Sequence, residues 1–245
     1  MARLGAPRVI HEQDSNELSA NRLTPVGQKA ETVDGRVFRY AQAGGTALDR
    51  AKLTTNPAVD ANVVNVAVAE AAAVGATEVV IDAGGTIAEN AYQDGFFSIN
   101  DATGEGAGHR VKGNTATTGA GEITVFLEQD NPIADTALVA DTSLATLEKN
   151  PWDGVIIVPA TDQADFPAGV PNIAVTASYF FWIQTGGETV VWSDETFARG
   201  APLTFGTGVA GQVEAVDAAG ELQFASAIEA ASGEADYTRV FLQID

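Results

Sequence analysis

The stretch Gly206–Gly211 (GTGVAG) matches the G-x-G-x-x-G loop of dinucleotide-binding proteins, which makes it the first candidate for a cofactor site. Such a loop must follow a strand and open a helix, so that the helix N-terminus meets the pyrophosphate. Here the next residues, 212–216 (QVEAV), alternate between polar and apolar as a strand does. The pattern therefore predicts a β-hairpin at this loop and no nucleotide site.

Histidine and cysteine, which often act as bases, nucleophiles and metal ligands, are scarce. The chain has no cysteine, which excludes thiolate catalysis, disulfides and cysteine-ligated zinc. Its two histidines, His11 and His109, are too few for a three-histidine metal site. His109 lies in an alternating, strand-like stretch, where we expect it to face solvent or a neighbour and to take no part in catalysis.

Carboxylate pairs could supply the acid and base of a glycosidase, and the chain holds 33 Asp and Glu residues. Pairs such as Asp194 with Glu195 and Asp162 with Asp165 recur, so none is distinguished as catalytic. No calcium loop of the D-x-[DN]-x-[DN]-G type occurs. We therefore expect a protein that is not an enzyme and that has no resident metal or cofactor.

The charge balance is strongly acidic, since 33 acids stand against 13 bases and give a net charge of −20. Nucleic acids and anionic membranes are poor partners, because binding them requires clustered Lys and Arg. Only four bases are lysine, and Ala, Val and Thr are abundant, as in proteins from a high-salt cytoplasm. Molar salt shortens the Debye length to about 3 Å and removes the self-repulsion. We expect a halophilic protein; an acidic mesophilic one is the alternative.

The bases are concentrated at one end of the chain. Residues 1–52 have a net charge of +2, whereas residues 53–245 have a net charge of −22. A basic end suits contact with an acidic partner surface, since arginine binds carboxylates in a bidentate manner. A solvated tail that is basic by chance is the alternative. The candidate contact residues of this region are Arg3, Arg8, Arg22, Arg36, Phe38 and Arg39.

An aromatic cluster, Tyr179–Trp182 (YFFW), is apolar on both faces if it is a strand. Alternation places Tyr179 and Phe181 on one face and Phe180 and Trp182 on the other. Such a strand is either central in the core or covered by a partner chain. Tyr179 and Trp182 are therefore candidate interface residues, with burial in the core as the more common alternative.

The elements that carry these residues are mostly strands. Val and Thr together number 48 while Leu and Met number 13, a ratio that favours pleated surfaces over helices. Turn signals are frequent, with 25 Gly and 9 Pro, and Gly186-Gly187 is one predicted turn. The sequence predicts a mainly β protein of sandwich or barrel-type modules with an extended N-terminal arm. The predicted strands lie at residues 36–40, 64–68, 78–82, 122–127, 154–158, 188–192 and 239–244.

The domain organisation follows from polarity and punctuation. Residues 1–26 are polar without a sustained period, which predicts the extended arm. Asn150-Pro151 marks a boundary between a β domain at 27–150 and a second β module at 151–245. We find neither a signal-peptide core nor an apolar run of the roughly 20 residues that span a membrane.

Several short runs together resemble a capsid cement, or decoration, protein of tailed viruses of bacteria and archaea. In those viruses the protein is commonly encoded near the major capsid protein. The resemblance extends from about residue 26 to the end of the sequence. The runs that carry it are 26–30 (VGQKA), 34–40 (DGRVFRY), 43–48 (AGGTAL), 108–115 (GHRVKGNT), 150–155 (NPWDGV), 169–171 (GVP), 176–187 (TASYFFWIQTGG) and 239–245 (RVFLQID).

This resemblance implies a virion structural protein, made in the host cytoplasm, that binds the outside of the major capsid shell. It also implies self-association, as a homotrimer at three-fold positions, and no catalytic residues. With the acidic composition, it points to a tailed virus of a salt-loving archaeon. The alternative is a carbohydrate- or receptor-binding β module of a virion or cell surface, which would be present in few copies instead of hundreds.

Overall fold

A computed structural model describes residues 8–10, 14–160, 166–233 and 235–245. The protein is mainly β, with 43% strand and 3% helix, as its Val and Thr content predicts. The chain forms two compact units: unit 1 comprises Met1–Pro57 and Pro151–Asp245, and unit 2 comprises Ala58–Asn150. Two single-turn 3-10 helices lie at Asp14–Asn16 and Ala61–Val63.

Unit 1 contains eleven strands in one sheet, in the order β1-β2-β3-β11-β4-β12-β13-β17-β16-β14-β15. The strands are β1 (Arg8–Val9), β2 (Lys29–Glu31), β3 (Val37–Ala43), β4 (Thr54–Thr55), β11 (Asp153–Ile157), β12 (Pro167–Pro171), β13 (Phe180–Trp192), β14 (Pro202–Phe205), β15 (Val213–Ala215), β16 (Ala225–Ala227) and β17 (Tyr237–Gln243).

Five of these strands close into a small barrel, because β13 pairs with β3 as well as with β12. The pair β3–β11 is parallel and the other four pairs of the ring are antiparallel. Alternate residues of β3 and β13 point to opposite faces, as strand geometry requires. On one face, Phe181 and Ile183 of β13 pack with Val155 of β11. The other face packs with Ile10 and Ala30 of the N-terminal segment.

Strand β13 changes partner part-way along its length. Up to Gly186 it pairs with β3, and from Gly186 to Trp192 it pairs with β17. The register shifts between Gln184 and Gly186, and Gly187 has a φ of +84°, which glycine adopts without strain. The predicted turn at Gly186-Gly187 is thus a bulge inside one continuous strand, because the glycines redirect the chain without reversing it.

The strands from β17 to β15 cover a second apolar cluster of unit 1. The residues buried there include Val191, Leu203, Val240 and Leu242. Along β17, the buried Val240 and Leu242 alternate with exposed residues. β14 and β15 form an antiparallel pair around the loop 206–211, so the predicted hairpin is confirmed.

Unit 2 is a six-stranded antiparallel sheet in the order β5-β10-β7-β8-β9-β6. A bridge between Val68, just beyond β5, and Ile81 of β6 closes the sheet on itself. Its core is built of alternate residues from every strand. The strands are β5 (Val66–Ala67), β6 (Glu78–Ala83), β7 (Phe96–Asp101), β8 (Gly108–Asn114), β9 (Gly121–Leu127) and β10 (Leu144–Glu148).

The structure divides the chain differently from the predicted domains 27–150 and 151–245. The boundary at Asn150-Pro151 is one end of unit 2, but the other end lies at Pro57. β3 and β4 pair with β11, β12 and β13, more than one hundred residues later. Local periodicity carries no information about such distant pairing, so the predicted domain 27–150 joined segments of two units.

The part of the predicted arm 1–26 that the structure describes belongs to unit 1 and is only partly extended, since it includes the 3-10 helix Asp14–Asn16. β1 pairs with β2 in parallel, and Ile10 and Val26 are buried. Ser19 exchanges backbone hydrogen bonds with Phe180. This segment is therefore part of the fold of unit 1. Within the described ranges, no helix has the length and apolar character needed to cross a membrane.

Gly95 precedes β7 where the backbone of β10 passes closely. A Cβ placed on Gly95 would lie 2.1 Å from the carbonyl oxygen of Glu148. We expect Gly95→Ala to lower the free energy of unfolding by about 2 kcal/mol, a typical cost of overpacking. Gly119→Ala is the matched control, since a Cβ there meets nothing within 4 Å. Chemical denaturation in molar KCl measures both variants, and equal stabilities would contradict the packing argument.

Candidate functional site

Arg39, a predicted docking residue, makes its contacts inside unit 1. Its Nε and Nη2 donate to the two carboxylate oxygens of Asp245 at 2.6 and 2.7 Å. Its Nη1 donates to the carbonyl oxygen of Gly27 at 2.8 Å, and its guanidinium lies 4.7 Å from the ring centroid of Trp152. The hydrogen bonds from Arg39 hold the pKa of Asp245 below 3.8, against the opposing effect of burial. The sequence predicts that Arg39 binds a partner. In the structure, the Arg39 guanidinium already donates to Gly27 and Asp245 of unit 1.

Arg36 lies at the turn before β3 and remains at the surface. Its Nε donates to Asp34 at 2.7 Å. The Thr32 hydroxyl also donates to Asp34 and is the main cause of that carboxyl's lowered pKa. The Arg36 guanidinium lies 5.8 Å from the ring centroid of Phe38. Arg36 is therefore anchored while still lining open surface.

The three remaining predicted arginines give less information. Arg3 lies outside the described residues, as does the side chain of Arg8 in β1. Arg22 is half-buried, and its Nε donates to the carbonyl oxygen of Thr24 at 3.3 Å. Their contact with a partner stays a prediction.

The predicted interface aromatics are covered by their own chain. Phe38 is 0% exposed and Trp182 is 6% exposed. Trp182 packs edge-on against Tyr40, with centroids 5.1 Å apart, beneath the N-terminal segment. Tyr179 is half-buried against the opposite cluster with Phe181. The prediction of opposite faces is confirmed, but Phe38 and Trp182 are core residues because Ile10 and Ala30 supply the cover that a partner was expected to supply.

An exposed surface that the sequence analysis missed lies on the outer side of the β13–β17 ladder. We call it the β13–β17 face. Val190, Tyr237 and Phe241 are 42%, 57% and 47% exposed. The signal was present in residues 237–243 (YTRVFLQ), where every second residue points away from the buried ones. The face comprises Glu188, Val190, Trp192, Tyr237, Arg239 and Phe241.

Cations border this face. Arg239 pairs with Glu188 at 3.0 Å, and the Lys52 ammonium lies 4.8 Å from the Trp192 ring centroid. Three shallow grooves of about 480, 550 and 580 Å³ run beside the face, and Arg36 and Arg50 each line two of them. In a chain of net charge −20, this combination of exposed aromatics and cations is an uncommon surface.

The glycine loop 206–211 has its amide groups turned toward carboxylates. Glu214 accepts from the N–H and hydroxyl of Thr207 at 2.9 Å each, and Asp194 accepts from the N–H of Gly208. Burial raises the pKa of Glu214, and the neighbouring Asp194 and Glu195 carboxylates add to that effect. A phosphate would need these same amides. The geometry therefore agrees with the hairpin interpretation.

Titratable groups in unit 2 are packed as structural residues. His109 is 3% exposed, so of the two predicted positions, facing solvent or facing a neighbour, the structure shows the second, because its side of β8 faces the core. Its Nδ1 lies 3.2 Å from the carbonyl oxygen of Asn131. The Tyr92 hydroxyl donates to Asp60 at 3.2 Å, and burial raises the pKa of Tyr92. Across the part of the chain that the structure describes, no three His, Asp or Glu side chains are grouped to hold a metal ion.

Comparison of the chain with protein-family models, curated proteins and solved structures finds no match.

The Arg39 contacts predict a stability effect specific to the guanidinium. We expect Arg39→Lys to lower the free energy of unfolding by about 1–3 kcal/mol, because lysine loses the bidentate pair and the third hydrogen bond. Arg199→Lys is the control, since Arg199 is exposed and no described residue bonds it. Denaturant titration in molar KCl compares the two; an Arg39→Lys variant as stable as wild type would contradict the clamp.

The lowered pKa of Asp245 predicts a dependence on acid. Its ionised form is favoured in the folded state, so its contribution to stability is complete above pH 3.8 and is lost as the pH falls through the lower folded value. We expect Asp245→Asn to be less stable than wild type at neutral pH and to lose less stability on acidification. Denaturation midpoints across this pH range measure the difference. Parallel curves for the two proteins would contradict it.

Proposed function

We propose that the protein is a capsid cement protein of a tailed virus, which binds the outside of the major capsid shell and stabilises it. The expected source is a virus of a salt-loving archaeon, and the expected location is the virion exterior. The proposal begins from the sequence resemblance and is supported by the way in which four of its runs meet in unit 1.

The observation that carries the proposal is the meeting of four runs at Arg39. Arg39 belongs to the run 34–40, and its guanidinium contacts Gly27, Trp152 and Asp245. Those three residues belong to three other runs of the resemblance, separated by up to 218 residues. Contact among the runs supports the proposal, because segments that define a family are expected to pack together in its fold.

The β13–β17 face offers the means of attachment. Exposed Tyr237 and Phe241 supply apolar area, whose burial is strengthened by salts that are excluded from protein surfaces. The surrounding cations suit an acidic shell, and they act only at short range in molar salt. We therefore place the docking surface at the β13–β17 face instead of the basic N-terminal end that the sequence predicts. Arg36 belongs to that predicted end and also lines two grooves beside the face.

Self-association as a homotrimer also belongs to the proposal. It now rests on the resemblance alone, because Trp182, which motivated it from the sequence, is buried within unit 1. The rival function, a carbohydrate- or receptor-binding module, differs in copy number per particle.

The test uses shells assembled from the major capsid protein encoded near this chain. We expect wild-type protein to co-sediment with the shells in hundreds of copies, and Phe241→Asp to bind about tenfold less because a carboxylate interrupts the apolar face. Leu222→Asp is the control, because Leu222 is 48% exposed and Phe241 is 47% exposed. Co-sedimentation with quantified bands measures the ratio.

Two outcomes would count against the proposal. Binding of wild-type protein in only a few copies per shell would favour the receptor-binding alternative. Failure of wild-type protein to bind shells at any salt concentration would exclude the cement function. Equal binding by both Asp variants would move the docking surface away from the β13–β17 face.

A further inference from the structure

The second half of β13 has a strand partner on one side only. On that side, Gly186–Trp192 pairs with β17. The other two partners of β13 end earlier, since β12 pairs with it only at Ile183 and Gln184 and β3 pairs with it only up to Gly186. No strand among the described residues continues beside Gly187–Val191. An edge that offers unpaired backbone groups is a template for another strand.

The backbone groups of this edge can be assigned by alternation. Trp192 donates its N–H to the carbonyl oxygen of Ala51 at 2.9 Å, and the carbonyl oxygen of Glu188 accepts from the Gln184 side chain at 2.8 Å. Both groups point away from β17. Residues of an antiparallel strand alternate, so Val190 directs its N–H and C=O to the same side. No described residue hydrogen-bonds Val190 there.

A groove runs along this edge and holds a buried acceptor without a partner. The groove of about 480 Å³ is lined by Gln184, Glu188 and Val190 on one side. Gln184 is 0% exposed, and its Oε1 has no hydrogen-bond partner among the described residues. A buried polar atom without a partner is costly, and a donor in the groove would remove that cost once the Gln184 side chain turns its covered Oε1 toward it.

The charges beside the groove favour an acidic occupant. Arg50 lines it, is exposed and has no ion-pair partner in the described ranges. Arg36 also lines it, although its Nε is already bonded to Asp34. Glu188, the acidic residue in the lining, is already paired with Arg239. A chain that carries 33 acids has here a place where an incoming carboxylate meets guanidinium groups.

We propose that the free edge of β13 at Glu188–Val190 binds an extended, acidic peptide segment of a partner protein by strand addition. The segment's backbone pairs with Val190, a segment N–H donates to Gln184 Oε1, and its carboxylates reach Arg36 and Arg50. Strand addition draws affinity from main-chain hydrogen bonds and specificity from the flanking side chains. The identification of the partner as a capsid protein rests on the proposed function. The free edge of β13, the Gln184 acceptor and the flanking arginines are independent of that function.

The first test needs no capsid. The probe is a pool of fluorescein-labelled octapeptides with Asp at alternate positions and the other positions randomised, titrated by fluorescence anisotropy in molar KCl. A matched pool carries Lys in place of Asp. We expect the protein to bind the Asp pool about tenfold more tightly, and backbone N-methylation of the peptides to abolish binding. Equal binding of the two pools, or no loss on N-methylation, would overturn the inference.

Two variants locate the binding. Val190→Pro removes the free N–H while leaving the ladder to β17, since that N–H points away from it. Arg50→Glu reverses one charge without touching the backbone, and Arg199→Glu is its control. We expect the first two to weaken binding of the Asp pool about tenfold and the control to bind as wild type. Should Val190→Pro misfold, the Arg50→Glu and Arg199→Glu pair decides the question: equal binding by these two would overturn the inference.

The same variants on capsid shells separate this inference from the cement function. Wild-type binding to shells with undiminished binding by Arg50→Glu and Val190→Pro would overturn the capsid protein as the partner of this edge and leave the cement function standing. Failure of wild-type protein to bind shells would overturn the cement function, while the peptide titrations still decide the edge. If sedimentation instead shows that Val190→Pro abolishes self-association, a second copy occupies the edge and the partner segment is excluded.

Discussion

The ladder between β3 and β13 is the pairing on which unit 1 depends, because apolar clusters cover both of its faces. Phe181 and Ile183 pack on one side, and Phe38 and Trp182 pack on the other. A strand buried on both faces loses two cores at once if its register slips by one residue. The pairing therefore fixes the barrel and also the apolar surface against which Ile10 and Ala30 pack.

The change of partner at Gly186-Gly187 connects that ladder to the surface that we assign to binding. Because β3 ends where β17 begins to pair, the second half of β13 is half-open. Arg36 sits at this junction, where a Cβ on Gly187 would lie 3.1 Å from the Arg36 Cα atom. The bulge that redirects the strand thus also places a cation beside the open edge. The bulge at Gly186-Gly187 therefore determines both the path of β13 and the position of Arg36 in the candidate site.

Strand identity could be read from the sequence, but strand partners could not. Alternation in 122–127 and 239–244 reports a local property, which face of the strand is buried, and the structure bears it out. The sequence predicts Phe38 at an interface because nothing local shows that Ile10 and Ala30 cover it. Arg39 was placed there for the same reason, since its partner Asp245 is 206 residues away. The exposed side of 237–243 was visible as alternation, yet its importance depends on β13 lying beside it.

The acidic composition and the short ion pairs of unit 1 respond differently to salt. The Arg39 contacts span 2.6 to 2.8 Å, which is shorter than the roughly 3 Å Debye length of molar salt. Such contacts survive screening, whereas repulsion among acids spread over the surface of each unit acts over longer distances and fades. Salt that is excluded from the surface also strengthens the burial of Phe181 and Trp182. High salt therefore removes the main electrostatic cost of this sequence while preserving the short ion pairs and the apolar contacts that hold unit 1 together.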